Sequence, residues 1–283
     1  MKTKVSVYSE RKGSNPGGNC SITIPHGGTI DAYIKYCLGS RLPKNSPFGD
    51  RDQPFRATAQ PIYEALTLVL ARKMGLLVPE FYVLDNSQVG REVEFEYSPN
   101  GERLNESMPY FFVSKLIVPT KVEEPTAKEA ALKREKLYRD LLVVSDVSNK
   151  AQNYMYAPDL DRMVYLDLGC SFVNAVGGTL LPHTGKQEVP SKRVWRRIQR
   201  KIDNYLLEDI DGGTTRLSDL VDISPDTKVP MLNPRCSRSL GDLLNPEEIE
   251  ETSLIIKANL VNIWKKHKRD PRLCSMMGVS NNT

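Results

Sequence analysis

Two short apolar runs follow a polar loop between residues 145 and 172 and are joined by a polar turn. The loop carries Asp146, Asn149 and Asn153, and the second run ends in Asp167, followed by leucine and glycine. Two such runs joined by a turn are typical of an antiparallel hairpin, whose two ends meet. The spacing therefore predicts that Asn153 and Asp167 face one site.

A set of carboxylate and amide groups of this kind suits phosphoryl transfer from a nucleotide. That reaction needs a carboxylate to take or orient a hydroxyl proton, and an asparagine and an aspartate to hold Mg²⁺. The chain has three histidines, none spaced as a metal ligand, and five scattered cysteines without a Cys-x-x-Cys pair. Because zinc sites and disulfide frameworks need such spacings, we expect reduced thiols and an oxygen-ligated metal.

The composition predicts a globular protein with room for two lobes around a cleft. Of the 283 residues, 40% are hydrophobic and 26% are charged, as in ordinary globular domains. The net charge of +4 argues against a dedicated DNA-binding protein. The sequence contains no apolar run long enough for a transmembrane helix and no apolar core of a signal peptide near residue 1. We therefore expect a cytoplasmic protein, or one exported without a cleaved signal.

A glycine-rich loop lies between two strand-like segments near the start of the sequence. Residues 3–10 alternate in the manner of a strand, residues 12–19 are rich in glycine and polar residues, and residues 20–25 resemble the returning strand. The loop contains Gly13, Ser14, Gly17 and Gly18. The loop either places its backbone N–H groups over phosphates or is an ordinary flexible hairpin loop. The second alternative stays open because Gly-rich loops are common.

A lysine and a glutamate follow in the next two predicted elements. Lys35 lies in a strand-like run, where a lysine is either a solvated edge residue or a phosphate ligand that points into a cleft. Glu64 lies near the start of a helix predicted for residues 60–77, with Pro61 in the first turn and Gly75 as C-cap. Glu64 is either an acid stabilised by the helix dipole or a partner of Lys35.

The predicted elements change in kind near residue 119. Before it, strands are predicted at residues 78–84 and 109–118, the second one central, with a polar hairpin at residues 87–107. After it, helices are predicted from the capping box of Thr126 and Glu129 to about residue 144, at residues 192–207, and from Asn245 to Lys266. We therefore divide the chain into two parts, residues 1–118 and 119–283.

Taken in this order, the elements resemble those of the HipA-like kinases, a branch of the protein-kinase superfamily. The resemblance covers roughly residues 10–175. It rests on residues 33–35, 61–80, 110–115, 153–154 and 166–169, and residues 64–79 are its most specific part. It implies an α+β, two-lobed protein-kinase-like fold, with a β-rich N-lobe at residues 1–118 and a mostly helical C-lobe at residues 119–283.

The resemblance also implies a role for each candidate residue. Lys35 would bind the α- and β-phosphates of ATP and be held by Glu64, while Asp167 and Asn153 would hold Mg²⁺. Asp146 would be the base that positions a hydroxyl group, and Asn149 would contribute a further polar contact in the same loop. Val113, Ser114 and Leu116 would lie in a hinge strand against the adenine. The residues implied in nucleotide binding are Gly13, Ser14, Gly17, Gly18, Lys35, Glu64, Val113, Ser114 and Leu116.

The sequence departs from the pattern of the family in two places. Kinase catalytic loops place the base five residues before the metal-binding asparagine, and that position here is Ser148. Asp146 lies seven residues before Asn153 and is the only acid in the loop. Three alternatives explain this longer spacing: the loop carries two extra residues, Asn149 makes part of the polar contacts of the base, or the enzyme is impaired. The glycine loop also lacks a regular G-x-G-x-x-G order.

The activity expected from the resemblance is transfer of the γ-phosphate of ATP, with Mg²⁺, to a serine or threonine of a protein. The family includes toxin kinases and secreted effector kinases, so a protein substrate and an antitoxin or host-protein partner are expected. An acidic protein substrate would fit the basic clusters at residues 192–201 and 265–269. The alternatives are a phosphoinositide-type lipid kinase and a pseudokinase that acts as a binding module. Autophosphorylation at Ser171, Thr179 or Thr184 is a further hypothesis.

Two basic clusters lie in the second half of the chain, at residues 192–201 and 265–269. Each is either a solvated helix face or a docking surface for an anionic ligand such as RNA, an acidic protein or an anionic lipid.

Overall fold

The protein has a mixed α/β fold that is built on one large sheet. The computed structural model describes residues 2–12, 16–36, 57–87, 93–117, 125–135, 142, 153–168, 175–176, 179–180, 206–208, 214–216, 223–250, 252–253 and 256. The strands are β1 (Thr3–Val7), β2 (Gly17–Ile24), β3 (Gly28–Lys35), β4 (Phe81–Asp85), β5 (Val93–Tyr97), β6 (Tyr110–Lys115), β7 (Tyr154–Ala157), β8 (Arg162–Tyr165), β9 (Ala175–Val176), β10 (Thr179–Leu180), β11 (Leu206–Glu208), β12 (Thr214–Arg216), β13 (Lys228–Met231) and β14 (Cys236–Ser239). The helices are α1 (Gln60–Lys73) and α2 (Pro125–Arg134), and a further helix occupies residues 246–250 and continues at 252–253 and 256.

The large sheet has eight strands in the order β14-β13-β4-β6-β3-β2-β1-β5. Its strand pairs are antiparallel except for β1 with β5 and β13 with β4. As predicted from its apolar sequence, β6 is central, between β3 and β4. The segment predicted as a polar hairpin instead places β5 at the sheet edge, because Val93, Phe95 and Tyr97 alternate and pack against the core.

Each face of the sheet covers a separate hydrophobic cluster. On β6, Phe111 and Val113 belong to one cluster, and Phe112 belongs to the other, which also contains the apolar side chains of α1. The alternation of side chains along β3 likewise places Ala32 and Ile34 in the first cluster. Lys35 therefore projects from β3 on the face that α1 covers.

Helix α1 is enclosed by the rest of the protein, and its buried side chains pack against one face of the large sheet. It packs against β6, β4 and β13, and most of its residues are buried. Pro61 lies in its first turn, where a missing N–H costs little. The helix ends at Lys73, four residues before the predicted end, and Gly75 follows with a φ of 75°. That left-handed conformation ends helices and favours glycine, as the sequence predicted.

The described part of the chain after residue 119 contains more strands than the sequence predicted. Strands β13 and β14 add to the large sheet, so residues on both sides of the expected boundary at 119 share it. Residues 206 and 207, predicted to end a helix, lie in β11, which pairs with β12. Much of the expected helical second lobe lies outside the described residues, and the fold that the described residues show is mixed α/β. No helix within the described ranges is long and apolar enough to cross a membrane.

Two local predictions after residue 119 are confirmed. Strands β7 and β8 form the antiparallel hairpin expected around residues 153–167. The helix from residue 246 begins where Asn245 and Pro246 predicted it, and the Glu248 Oε2 atom accepts a hydrogen bond from the Asn245 backbone N–H at 2.8 Å. This contact is half of a capping box. Helix α2 begins at Pro125, so Thr126 lies inside its first turn and not before it.

Candidate functional site

Lys35 is the buried cation around which the candidate site forms. It is the last residue of β3 and pairs with Phe112 of β6, and its Nζ atom lies 5.3 Å from the centre of the Phe112 ring. On its other side it pairs with Gly17 of β2. A Cβ atom at position 17 would lie 2.4 Å from the Ile34 carbonyl oxygen and 2.9 Å from the Lys35 Cβ atom. Glycine at this position therefore allows β2 to pass close to Lys35.

Two carboxylates from distant parts of the chain contact the ammonium group of Lys35. Its Nζ atom lies 2.6 Å from Glu64 Oε1 and 3.0 Å from Asp167 Oδ1. Glu64 comes from α1, and Asp167 follows β8 by two residues. The Glu64 side chain is 2% exposed, whereas that of Asp167 is 44% exposed. The ion cluster of Lys35, Glu64 and Asp167 is therefore buried on one side and open to solvent at Asp167.

The β7–β8 hairpin joins Asn153 to Asp167 as the spacing predicted. The Asn153 carbonyl oxygen accepts hydrogen bonds from the backbone N–H groups of Leu166 at 2.8 Å and Asp167 at 3.2 Å. Asn153 is itself buried. These contacts bring the backbone of Asn153 to Asp167, the residue that contacts Lys35.

Burial and neighbouring charges shift the pKa values of Lys35 and Glu64 in opposite directions. Burial by itself would lower the pKa of Lys35, but the carboxylates of Asp167 and Glu64 outweigh it, so the pKa is raised and the group stays an ammonium. Burial raises the pKa of Glu64 to about 7, against the opposing effect of Lys35 and with a smaller addition from Asp167. With both carboxylates ionised the cluster carries one excess negative charge, which favours an added cation on the open side.

The predicted hinge residues lie within the sheet. Val113 and Ser114 pair with β3 on one side and with β4 on the other. The Lys115 N–H donates to the Glu80 carbonyl oxygen at 2.8 Å, and the Leu116 N–H donates to the Asp31 carbonyl oxygen at 3.0 Å. Since a strand flanked on both sides uses its backbone groups in the ladder, these groups already have partners.

The predicted glycine loop is in part a strand. Gly17 and Gly18 belong to β2 and pair with Lys35 and Ile34. A Cβ atom at Gly18 would lie 2.4 Å from the Ser9 carbonyl oxygen, so this glycine allows close packing of the backbone. Gly13 and Ser14 lie outside the described residues.

Several other predicted residues lie outside the part of the chain that the structure describes. These are Asp146, Asn149, Ser171, Thr184 and the two basic clusters at residues 192–201 and 265–269. Thr179 lies in β10.

Two buried contacts of this region were not predicted. The Tyr63 hydroxyl donates to Glu248 Oε1 at 2.5 Å, across 185 residues of sequence. Glu135 Oε1 accepts from Arg162 Nε and from the Met163 N–H, both at 3.3 Å, and the Arg162 guanidinium also donates to the Gly75 carbonyl oxygen. Local patterns do not reveal such long-range pairs.

Three comparisons, with protein-family models, with curated proteins and with solved structures, found no match to this chain.

Proposed function

We propose that this protein is a phosphotransferase of the HipA-like kind, which transfers the γ-phosphate of ATP to a serine or threonine hydroxyl of a protein with the help of Mg²⁺. The observation that carries the proposal is the pair of contacts made by Lys35, with Glu64 at 2.6 Å and with Asp167 at 3.0 Å. A lysine from a strand, held by a glutamate from a helix and next to a metal-binding aspartate, is the arrangement that phosphate transfer in protein kinases requires.

A purely structural role explains this ion cluster less well. Removing charges from water is costly, and buried ion pairs are often no more stabilising than apolar side chains of the same volume. A cluster that served only the core would be closed, but the Asp167 carboxylate is 44% exposed. The open carboxylate beside a buried, permanently charged ammonium supports a site for a charged ligand.

The donor set fits Mg²⁺ and a nucleotide. Asp167 offers an exposed carboxylate and Asn153 carries an amide, and oxygen donors of this kind are the ligands that Mg²⁺ prefers. Asp167 and Asn153 would hold the ion, which would neutralise charge on the phosphates. Lys35 would bind phosphate oxygens, and Glu64 would fix the direction of its ammonium group. Since the backbone groups of Val113 and Ser114 have partners in the sheet, the adenine edge would be bound by residues beyond β6.

The proposal is tested by measuring transfer of labelled γ-phosphate to a general protein substrate and to phosphoinositide vesicles. Wild type is expected to label protein and not lipid. Lys35→Met and Asp167→Asn are each expected to lower the rate by roughly a hundredfold or more, because each removes a group that stabilises the transferring phosphate. Lys4→Met and Glu96→Gln are matched controls, since Lys4 and Glu96 form an exposed ion pair with side chains 52% and 53% exposed.

The outcomes separate the proposal from its alternatives. Labelling of lipid alone would point to a lipid kinase, and nucleotide binding without any transfer would point to a pseudokinase. If wild type does not bind ATP with Mg²⁺, or if both site variants keep the wild-type rate, the proposal is wrong.

A further inference from the structure

The position of α1 decides whether Glu64 can reach Lys35, and the start of this helix lacks a local side-chain cap. The residue before the helix, Ala59, makes no side-chain hydrogen bond to it. Much of the contact surface of α1 is apolar, with Ile62, Leu66 and Leu70 in the core cluster. Apolar contacts are non-directional, so they resist separation of the helix from the sheet more than they resist rotation or sliding.

A directional contact to α1 is made by Tyr63, the residue next to Glu64. Its hydroxyl donates to Glu248 Oε1 at 2.5 Å, and the side chains of both residues are almost completely buried. A hydrogen bond to a carboxylate has a preferred distance and angle, and it is stronger than a bond between neutral groups.

The partner carboxylate is itself fixed in place. Glu248 Oε2 accepts the Asn245 backbone N–H at 2.8 Å, which ties the carboxylate to the first turn of the helix from residue 246. One oxygen of Glu248 thus holds its own helix start, and the other holds α1. The helix from residue 246 is anchored by Ile249 and Ile256, which lie in the same core cluster as the apolar side chains of α1.

We propose that Tyr63 and Glu248 are positioning residues, which hold α1 at the rotation where Glu64 contacts Lys35. Neighbouring residues on a helix are about 100° apart, so a rotation of α1 that moves Tyr63 away from Glu248 also moves Glu64 relative to Lys35. The inference rests on the proposed phosphotransferase function, because its consequence is the placement of a site residue. It assigns to the helix from residue 246 a part in placing Glu64 at the site.

The test compares three single variants by the rate of phosphate transfer and by the KM for ATP. Tyr63→Phe removes the hydroxyl and keeps the ring, and it is expected to lower kcat roughly tenfold while changing the KM for ATP by less than about threefold, since small misplacements act on the transition state. Glu248→Gln keeps an acceptor oxygen and a residue that fits a capping box, so it is expected to stay within about threefold of the wild-type kcat.

Tyr156→Phe is the matched control. Tyr156 is also a buried tyrosine whose hydroxyl donates to a carboxylate, that of Asp161 at 2.6 Å, but this bond lies within the β7–β8 hairpin, at its turn. It is expected to lower the melting temperature about as much as Tyr63→Phe and to keep the wild-type kcat. A wild-type kcat in Tyr63→Phe, or an equal loss in Tyr156→Phe, would overturn the proposal.

Hydrogen exchange followed by mass spectrometry gives a second readout that does not depend on activity. Tyr63→Phe is expected to speed exchange in peptides covering residues 60–73 and 246–253, and Tyr156→Phe is expected to leave both unchanged. If the wild-type protein transfers no phosphate, the proposed function fails, and the exchange experiment alone decides whether Tyr63 and Glu248 hold α1. Unchanged exchange in both peptides of Tyr63→Phe would then count against the contact as a positioning device.

Discussion

Glu64 and Asp167 contact the same ammonium group but lie in different surroundings. Glu64 is enclosed in the protein, and burial raises its pKa to about 7. The Asp167 carboxylate is partly open to water, which stabilises its charge. The two carboxylates therefore differ in their contact with water. The buried one can lose its charge near neutral pH, and the exposed one lies at the solvent side of the ion cluster.

Glu64→Gln is expected to change how stability depends on pH. A raised folded-state pKa favours the protonated form, so the stability that Glu64 contributes is fully present below its ordinary pKa of 4.5 and is lost as the pH rises through about 7. Glutamine stays neutral throughout. The variant should therefore match wild type near pH 4.5 and become progressively more stable than wild type up to pH 8, while its transfer rate falls. Urea denaturation without nucleotide measures the difference.

Glu96→Gln is the control for this experiment, because the Glu96 side chain is 53% exposed and pairs with Lys4 on the surface. It should follow the wild-type pH profile. A Glu64→Gln variant that becomes less stable than wild type as the pH rises would show that the charged form of Glu64 is the stabilising one.

At the scale of elements, β13 is joined to β4 by side chains as well as by the ladder. The two strands share one residue pair, Met231 with Val83. Just beyond it, Asn233 accepts a hydrogen bond from the Asp85 N–H and donates one to the Asp85 carbonyl oxygen, both at 2.9 Å. The Asn233 side-chain amide thus extends the hydrogen-bond ladder between β13 and β4, where a backbone peptide group would otherwise be needed. Arg238 adds an ion pair to the Asp85 carboxylate at 2.7 Å.

Asn233→Ala is expected to lower the free energy of unfolding by about 3 kcal/mol, because it leaves two buried backbone groups of Asp85 without their partners. Asn105→Ala removes an exposed asparagine that accepts from Ser107, and it should cost less than about 0.5 kcal/mol. Urea denaturation of both variants provides the comparison. Equal losses in the two variants would mean that the Asn233 contacts do not hold β13 to β4.

The elements that the sequence predicted well are those decided by neighbours in the chain. The apolar run of β6, the hairpin of β7 and β8, and the proline and glycine that bracket α1 are all local features. The contact between Asn233 and Asp85 spans 148 residues, and no periodicity marks it. Leu206 and Leu207 have helical propensity, but pairing with β12 overrides it. Of the site, Lys35, Glu64 and Asp167 were predicted through the order of elements, whereas Tyr63 and Glu248 were identified from the fold.

At the scale of the whole molecule, the two parts of the chain share one sheet and one core. The core cluster around α1 contains Val229, Met231, Leu240 and Ile249 from the second part. Apolar side chains of α1, in the first part of the chain, are therefore covered in part by residues from 229 onward. A site assembled from Lys35, Glu64 and Asp167 depends on this shared core, because it draws on both parts.

A chain that ends at residue 222 is expected to lose cooperative unfolding. It lacks β13, β14 and the apolar side chains that cover α1, and the exposed core surface would favour a loosely packed state. Thermal unfolding followed by circular dichroism should show a broad transition, and limited proteolysis should cut within residues 57–87. A sharp transition at the wild-type temperature would show that the first part folds by itself.

The position of Glu248, 185 residues after Tyr63, has a consequence for synthesis of the protein on the ribosome. Lys35 and Glu64 are translated first. The carboxylate that accepts the hydrogen bond of the Tyr63 hydroxyl and the strand that pairs with β4 are translated more than 160 residues after Glu64. A nascent chain would thus carry the charged groups of the site long before it can hold α1 in place. Products of translation that stop before Glu248 should lack the bond between Tyr63 and Glu248, and we expect them to lack the proposed phosphate transfer.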